Sequence, residues 1–347
     1  MIRIALLPGD GIGPEVIAAA VTVLEKAAQK FDFHFTTQLF DLGAERYLRT
    51  GETMPDKEFA SLRDDFDCIL LGAFGDPRVP SNIHAKEILL GLRQRLDLYV
   101  NLRPVKLVDA RLCPLKDVAA GTVDMAIVRE NTESVYVGIG GRFKPGMPDE
   151  VAQSVMLSTR PGCDRLLRYA FELARTRRNK LVLCDKANAI EAAHGLWRLA
   201  LKEMAKEFPD VKATTLYADV AAMRMVTHPH EFDVVVGDNM IGDILSDLAA
   251  ALVGGLGLAP SSSTHPGKVA LYEPVHGSAP DIVGTGKANP LAAILSLGML
   301  LRDQGQLHAA EAIEVACAKS VIEKACTPDL GGTLTTTQVA EWVGATL

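Results

Sequence analysis

Short apolar runs alternate with segments of helical spacing along this chain of 347 residues. The strand-like runs are IRIALL (2–7), CILLGA (68–73), MAIVRE (125–130), KLVLCD (180–185) and FDVVVG (232–237). Strands that alternate with helical patterns are typical of βαβ units, in which neighbouring strands run parallel. The pattern therefore predicts an α/β protein with a largely parallel sheet between helix layers.

The first helix is marked at its start and in its interior. Pro14 suits the first position of a helix, and Glu15 suits its positively polarised end. Apolar residues then recur at helical spacing, namely Ile17, Val21, Leu24 and Ala28. These signals predict a helix over about residues 14–29.

The stretch GGRFKPGMPDE (140–150) is the interruption of the chain that is richest in glycine and proline. The strand-like segments SVYVGI and VAQSVML flank it on either side. This arrangement predicts the tip of a projecting hairpin.

The N-terminal turn LPGDGIGPE spaces its glycines as G-x-G-x-G. A Rossmann turn instead requires G-x-G-x-x-G and an acidic residue about twenty positions further on. The sequence therefore predicts a tight turn between a strand and a helix, or a loop that faces a ligand, and excludes a Rossmann assignment.

Composition narrows the class of protein. The net charge of −7 argues against a nucleic-acid or anionic-membrane surface, and no apolar run reaches the roughly 18 residues of a membrane span. The six cysteines form no C-x-x-C pair, so we interpret them as reduced packing residues and predict neither a disulfide framework nor a zinc site. We expect a cytoplasmic globular protein.

The segment GDILSDL (242–248) places two carboxylates on one face of a predicted helix, because Asp243 and Asp247 are four residues apart. Asp219, in YADVAAM, offers a third carboxylate. Ligand sets made only of oxygen suit Mg²⁺ or Mn²⁺. In that interpretation Ile244, Leu245 and Leu248 fix the helix against the core; a solvated helix edge is the alternative.

Three arginines are candidates for binding a carboxylate substrate. Arg93 lies in a helix-like stretch, Arg103 precedes Pro104, and Arg129 stands one residue before the end of the run MAIVRE. Guanidinium groups bind carboxylates with two parallel hydrogen bonds, so three of them suit a di- or tricarboxylate. Surface ion pairs are the alternative interpretation.

Tyr136 and Lys186 are candidates for proton transfer. Lys186 follows a predicted buried strand, where partial desolvation would lower the pKa of its amine, and Tyr136 offers a phenolic acid. Taken alone, the lysine also fits a solvent-facing charge and the tyrosine fits a packing residue.

The motifs together resemble one enzyme family from end to end. LPGDGIGPE, LDLYVNLRP, VRENTESVY, DKAN, GDILSDLAA, GLGLAPS, EPVHGSAPDI and TPDLGG occur in this order. They are similar to the β-decarboxylating dehydrogenases of the isopropylmalate, isocitrate and homoisocitrate type. The resemblance implies NAD- and metal-dependent oxidative decarboxylation of a 2-hydroxy acid of the malate type.

The resemblance also implies the architecture. It predicts a two-domain α/β fold distinct from the Rossmann fold, with mixed parallel sheets flanked by helices and a dimerisation arm. The cofactor-binding domain would comprise residues 1–99 and 254–347, and the second domain residues 100–253, with the arm near 135–160. The active site would be shared between the two subunits of a homodimer.

The family's functional residues match this sequence position by position. Arg93, Arg103 and Arg129 match the residues that bind the malate carboxylates. Asp243 and Asp247 of one subunit, with Asp219 of the other, match the ligands of Mg²⁺ or Mn²⁺. Tyr136 and the partner subunit's Lys186 match the acid–base pair, and Asn188 lies beside them.

The segment EPVHGSAPDI (273–282) matches the family's adenosine-binding loop. Asp281 stands where a carboxylate would accept hydrogen bonds from ribose hydroxyls and repel a 2′-phosphate, so the resemblance predicts NAD over NADP. The other matched cofactor positions are Glu273, His276, Gly277, Ser278, Ala279, Ile282 and Asn289.

Substrate choice is predicted from the segment before Arg93. Leu89 and Leu90 match the two leucines of isopropylmalate enzymes, while Glu87 and Leu89 replace the serine and asparagine of isocitrate enzymes. The sequence therefore favours 3-isopropylmalate, as in leucine biosynthesis. Lys86 replaces the family's usual glutamate, which leaves homoisocitrate, isocitrate, D-malate or tartrate open unless Lys86 faces solvent. A noncatalytic regulatory subunit is the alternative class.

Overall fold

The computed structural model describes all 347 residues, which divide into two compact units. The first unit comprises Met1–Leu98, Pro104–Thr122 and Ala250–Leu347, and the second comprises Tyr99–Arg103 and Val123–Ala249. No helix in the chain combines the length and the apolar character that a membrane span requires.

Strands and helices are numbered along the whole chain. The strands are β1 (Ile2–Gly9), β2 (Phe35–Leu39), β3 (Cys68–Ala73), β4 (Val100–Lys106), β5 (Asp124–Glu130), β6 (Gly140–Phe143), β7 (Val151–Ser154), β8 (Lys180–Asp185), β9 (Lys212–Tyr217), β10 (Val234–Gly237), β11 (Pro260–Thr264) and β12 (Ala270–Pro274). The helices are α1 (Gly13–Phe31), α2 (Ala44–Thr50), α3 (Asp56–Asp64), α4 (Ile83–Arg95), α5 (Arg160–Arg175), α6 (Glu191–Met204), α7 (Ala218–Thr227), α8 (Asn239–Ala251), α9 (Leu291–Asp303), α10 (Leu307–Ile322) and α11 (Thr336–Thr346).

The first unit is built on strands in the order β2-β1-β3-β12-β11. Pairs β1–β2, β1–β3 and β3–β12 are parallel, and only β11–β12 is antiparallel. Ile4 and Leu6 of β1 pack with α1, α9, α10 and α11 on one face, while Ala5 and Leu7 pack with α3 and α4 on the other. Because successive side chains point to opposite faces, a sheet covered on both sides needs the uninterrupted apolar run seen in β1.

The second unit contains the parallel strands β5, β10, β8 and β9 in that order. Leu181 and Leu183 of β8 and Val234 and Val236 of β10 pack against helices α5 and α6. The sequence prediction of a largely parallel sheet flanked by helices is confirmed in both units. The predicted first helix is also confirmed, as α1.

A hairpin of β6 and β7 protrudes from the second unit, with Gly140 opposite Ser154 and Phe143 opposite Val151. The predicted hairpin is therefore confirmed, but the strand prediction for SVYVGI was wrong. Residues Val135–Val137 form a 3-10 helix, because Ser134 (φ +66°) and Gly138 (φ +71°) turn the backbone out of the extended conformation on either side.

The glycine-rich turn between β1 and α1 is closed by its own aspartate. Asp10 accepts hydrogen bonds from the N–H groups of Ala44 (2.6 Å) and Gly75 (2.8 Å), and it lies 2.7 Å from His84 Nε2. Gly11 has a φ of +57°, and a Cβ there would lie 2.0 Å from the carbonyl oxygen of Ser278. This geometry agrees with the prediction of a fold distinct from the Rossmann fold.

All six cysteines are free thiols. Five are buried, and Cys113 is half-buried. Burial raises the pKa of the Cys163 thiol to about 12, so this sulfur is protonated at neutral pH and packs as an apolar group. The prediction that the cysteines are packing residues is confirmed for the five that are buried.

Candidate active site

Helix α8 carries the two aspartates of GDILSDL on a partly exposed face. Leu245 and Ala249 pack against the core on its other side, and the Asp243 and Asp247 side chains are 36% and 56% exposed. Ile244 is also exposed, so the prediction that it anchors the helix was wrong. The helical period places Leu245, and not Ile244, on the buried face.

Arg129, at the end of β5, is buried and fixed by α8. Its Nε and Nη2 atoms donate to Asn239 Oδ1 at 2.9 and 2.7 Å, and its Nη1 atom donates to Asp243 Oδ1. A Cβ at Gly242 would lie 2.7 Å from Arg129 Cβ, so only glycine lets the helix approach this closely. Arg129 therefore presents its guanidinium to the aspartate face of α8.

Arg103, in β4, reaches the same carboxylates. Its Nε atom donates to Asn101 Oδ1 (2.9 Å), and its Nη1 atom donates to Ser246 Oγ (2.7 Å) and Asp247 Oδ1 (3.2 Å). Its Nη2 atom lies 3.5 Å from Asp243 Oδ1. The structure thus brings two of the three predicted carboxylate-binding arginines onto the predicted metal-binding face.

Tyr136 joins this group of side chains. Its hydroxyl donates to Asp243 Oδ2 at 2.7 Å, and the Arg129 guanidinium lies 5.2 Å from the centre of its ring. The hydroxyl is the donor in this contact, so it carries the proton that a general acid must supply. The geometry is therefore compatible with Tyr136 as a general acid.

Burial raises the pKa of the Asp247 carboxyl above its ordinary value; the positive charge of Arg103 opposes this shift, and the negative charge of Asp243 adds to it. A carboxylate pair that is partly withdrawn from water is stabilised by an added cation. The donors are all oxygens, which fits Mg²⁺ or Mn²⁺. One chain nevertheless supplies only two of them, since it contains no group of three or more acidic, histidine or cysteine side chains that could hold a metal ion.

Lys186 and Asp219 form a separate pair in the second unit. Lys186 follows β8, Asp219 lies in the first turn of α7, and Lys186 Nζ is 2.8 Å from Asp219 Oδ1. The hydrogen bond from Lys186 lowers the pKa of Asp219 below its ordinary value. Asn188 is exposed nearby in the chain. Within one chain Asp219 does not complete a metal cluster with Asp243 and Asp247.

Helix α4 in the first unit carries the residues predicted to select the substrate. Arg93 Nη2 bonds Glu273 Oε1 at 2.8 Å, and the buried Arg93 Nε has no hydrogen-bond partner. Leu89 and Leu90 are half-buried, one turn before Arg93. Lys86 lies a further turn back, is exposed, and forms no ion pair.

The predicted cofactor loop follows β12 directly. His276 Nδ1 lies 3.0 Å from the carbonyl oxygen of Gly277, and its Nε2 atom is buried without a hydrogen-bond partner. Burial lowers the pKa of His276, so the ring is neutral at neutral pH. The Ser278 carbonyl accepts from Ile12 N–H (2.9 Å), which ties this loop to the glycine-rich turn.

The rest of the loop presents a free carboxylate. Ala279 adopts a left-handed conformation (φ +40°) before the 3-10 helix that contains Asp281 and Ile282. Asp281 is exposed and forms no ion pair. Asn289 is buried and is fixed by Asp329 (2.9 Å). An unpaired imidazole nitrogen and a free carboxylate fit the amino and hydroxyl donors of an adenosine.

Three residues that hold the site were missed by sequence reasoning: Asn101, Asn239 and Ser246. Each of them bonds Arg103 or Arg129. Asn101 could have been found, because it is two residues from Arg103 in an extended run and therefore shares its face. Ser246 lies within one helical turn of Asp243, and Asn239 carries no comparable sequence signal.

Known proteins resemble this chain over almost its whole length. The family model described as isocitrate/isopropylmalate dehydrogenase matches residues 3–343. A 3-isopropylmalate dehydrogenase of Thermobifida fusca is 44% identical over 343 residues, covering 98% of this chain and 96% of that protein.

Solved structures of dehydrogenases also resemble this chain. An isocitrate dehydrogenase of Methylococcus capsulatus has a TM-score of 0.90 at 37% identity, covering 100% of this chain and 99% of the other. A β-decarboxylating dehydrogenase of Thermococcus kodakarensis has a TM-score of 0.82 at 35% identity, covering 100% and 96%.

Proposed function

The chain belongs to the isocitrate/isopropylmalate dehydrogenase family, and from that premise we propose that it oxidises and decarboxylates 3-isopropylmalate to 2-oxoisocaproate with NAD and a divalent cation. The observation that carries the proposal is the cluster of Arg103, Arg129, Tyr136, Asp243 and Asp247 in the second unit. It combines carboxylate binding, metal ligands and a proton donor.

The substrate assignment is supported by α4. Leu89 and Leu90 offer an apolar surface of the kind that an isopropyl group would contact, and Arg93 has a free Nε donor for a carboxylate. The Thermobifida fusca relative carries the name of the same activity. Lys86 is exposed and unpaired, which supports the interpretation that it faces solvent.

The cofactors are part of the proposal. Asp243 and Asp247, with Asp219 of the partner subunit, would hold Mg²⁺ or Mn²⁺, whose charge stabilises negative charge that develops on substrate oxygens. His276 and Asp281 would bind the adenosine of NAD, which accepts the hydride. The other residues proposed to line the cofactor site are Glu273, Gly277, Ser278, Ala279, Ile282 and Asn289.

The chain's own side chains perform the remaining steps. Arg93, Arg103 and Arg129 orient the two carboxylates of the substrate. The Lys186 amine removes the proton of the C2 hydroxyl as hydride leaves C2. After CO₂ departs, the Tyr136 hydroxyl donates a proton to the carbon that carried the lost carboxylate. Asn188 would lie beside Lys186 in the same site.

We also propose a homodimer with a shared active site. Met223 and Val226 share a face of α7 with Asp219, at helical spacings of four and seven residues, and both are exposed. Ile244 on α8 and Phe143 on the β6–β7 arm are exposed as well. Burying these apolar side chains against a second copy would bring Asp219 and Lys186 to the partner's Asp243.

Two organisational predictions belong to the same proposal. The cofactor domain would comprise residues 1–99 and 254–347, and the metal- and dimer-forming domain residues 100–253. A cytoplasmic location is supported by the six free cysteines, because reduced thiols are typical of that compartment.

Product stoichiometry with the purified protein tests the reaction. We expect one CO₂ for each NADH formed from 3-isopropylmalate, and complete loss of activity when a chelator removes the divalent cation. Asp243→Asn should abolish turnover while circular dichroism remains unchanged. NADH formation without CO₂, or turnover that survives in Asp243→Asn, would contradict the proposed reaction.

A further inference from the structure

One buried carboxylate in the second unit lies between the segments that carry Tyr136 and Lys186. Asp238 follows β10 and is 3% exposed. Its Oδ2 atom accepts the hydroxyl proton of Ser134 at 2.6 Å, and its Oδ1 atom accepts the N–H of Ile241 at 2.9 Å. His194 Nε2 lies 3.6 Å from the same Oδ2 atom.

The Ser134 contact fixes the segment that carries Tyr136. Ser134 is buried and has a φ of +66° and a ψ of −144°, a conformation that costs a non-glycine residue free energy. Its N–H also donates to the Leu157 carbonyl at 2.8 Å. Because Tyr136 is two residues further on, in the 3-10 helix that follows, the position of its ring depends on how Ser134 is held.

The His194 contact fixes the segment that carries Lys186. The backbone N–H of Lys186 donates to His194 Nδ1 at 2.7 Å. Since Nδ1 is an acceptor, the proton of a neutral ring lies on Nε2, which faces Asp238. This Nε2 atom is buried and has no hydrogen-bond partner, and the Asp238 carboxylate faces it at 3.6 Å, slightly beyond hydrogen-bond distance.

Asp238 is charged in this position. Burial acts to raise its pKa, but the interactions with His194 and Ser134 and the N–H of Ile241 outweigh burial, and the pKa stays below its ordinary value. A buried carboxylate that accepts two hydrogen bonds and faces an imidazole nitrogen at 3.6 Å is rigidly placed. Its partners are therefore held in one geometry.

We propose that Asp238 is a positioning residue that sets Tyr136 through Ser134 and Lys186 through His194. The inference rests on the proposed function, which gives Tyr136 and Lys186 their acid and base roles. In a homodimer with shared sites, one Asp238 would hold the tyrosine of one site and the lysine of the other. Asp238 itself does not touch the substrate.

Asp238→Asn should alter the contact with His194 and keep the contact with Ser134. The asparagine oxygen can still accept from Ile241, and its NH₂ group can donate to Ser134 Oγ, so the helix start and the serine contact survive. The same NH₂ group, however, would face the Nε2–H of His194, donor against donor. The substitution therefore releases His194, and with it Lys186, while most of the local structure remains.

Asp233→Asn is the matched control. Asp233 precedes β10, is 1% exposed, and accepts from Arg177 Nε (2.7 Å) and from the N–H of Arg178 (2.8 Å). It is a buried, bonded aspartate at the opposite end of the same strand and contacts no predicted site residue. If Asp238→Asn lowered activity only by destabilising the fold, Asp233→Asn should lower activity as well.

The test is steady-state kinetics with 3-isopropylmalate, NAD and Mg²⁺. For Asp238→Asn we expect kcat to fall on the order of tenfold or more, with KM changed by less than about twofold, because misplaced acid–base groups slow the reaction without weakening binding. The acid limb of the kcat–pH profile, which reports the base, should move. Asp233→Asn should keep the kcat and the profile of the unaltered protein.

Ser134→Ala tests the tyrosine contact separately and is a small change that preserves the fold. It should lower kcat and leave the acid limb in place. Normal kcat in both Asp238→Asn and Ser134→Ala, or equal losses in Asp238→Asn and Asp233→Asn, would overturn the positioning role. An unaltered protein that cannot turn over any 2-hydroxy acid would instead refute the proposed function.

Discussion

Asp243 has more charged and polar neighbours than the other two predicted metal ligands. Arg129 and Tyr136 donate to its two oxygens, and Arg103 lies within ion-pair distance. A carboxylate at a solvated helix edge would have no reason to attract two buried arginines. The functional interpretation of GDILSDL is therefore better supported than the helix-edge alternative.

Asp247→Asn tests the electrostatics of this face. Burial and the negative charge of Asp243 raise the pKa of Asp247 in the folded protein, and the positive charge of Arg103 opposes them. When the pH exceeds this raised pKa, the ionised Asp247 carboxylate destabilises the metal-free fold. In metal-free buffer near pH 7 the variant should be more stable by no more than about 1 kcal/mol, since water screens a side chain that is half-exposed.

The advantage of Asp247→Asn should vanish as the pH falls below about 3.9, the ordinary value for an unfolded aspartate, because both states are then protonated. Urea titrations at several pH values measure this difference. Added Mg²⁺ should stabilise the unaltered protein and not the variant. A variant that is less stable at neutral pH would contradict this description of the site.

Asp281→Asn tests the predicted choice of cofactor. Asp281 is exposed and unpaired, so the substitution should leave stability unchanged. Loss of a charged acceptor for the ribose hydroxyls should raise the KM for NAD by about tenfold. The KM for NADP should fall relative to that for NAD, because repulsion of a 2′-phosphate is removed. Unchanged kinetics with both cofactors would place adenosine elsewhere.

At the scale of elements, the sequence predicted what periodicity and turn chemistry determine locally. The apolar run of β1 and the start signals of α1 were sufficient to predict these two elements. An uninterrupted apolar run and a proline at a helix start are local properties of the sequence. SVYVGI was predicted as strand because its apolar residues alternate. The left-handed conformation of Ser134, held by Asp238 and Leu157, overrides that pattern through contacts distant in sequence.

Gly11→Ala tests the packing of the β1–α1 turn against the cofactor loop. A Cβ there meets Ser278 at 2.0 Å in a left-handed conformation, whereas at Gly51, also left-handed (φ +72°), a Cβ meets nothing within 4 Å. Gly51→Ala should cost about 1 kcal/mol of strain. Gly11→Ala should cost more and also raise the KM for NAD. Equal losses of stability in urea titrations would refute the close packing.

At the scale of the whole molecule, the family prediction is confirmed, since the matching family model covers residues 3–343. Motif order was sufficient for this result because the motifs extend from the first strand to the last third of the chain. Asn239, which holds Arg129, could not be predicted in this way. Its partner lies 110 positions away, and only the folded chain brings the two residues together.

Hybrid dimers test whether the active site is shared. Lys186→Ala and Tyr136→Phe should each be inactive alone. When equal amounts are unfolded together and refolded, half of the dimers are hybrids, and each hybrid has one site with both an intact lysine and an intact tyrosine. About one quarter of the original activity should return. No recovery, with dimers re-formed, would confine the site to a single chain.

The central claim is oxidative decarboxylation of 3-isopropylmalate, and the most direct measurement is kcat/KM for a panel of acids. The purified protein, with NAD and Mg²⁺, would be given 3-isopropylmalate, homoisocitrate, isocitrate, D-malate and tartrate. We predict a preference for 3-isopropylmalate of at least about tenfold, from the contacts of Leu89 and Leu90 with its isopropyl group. A preference for an acid with a polar or charged γ-group would contradict the claim and assign substrate recognition to Lys86.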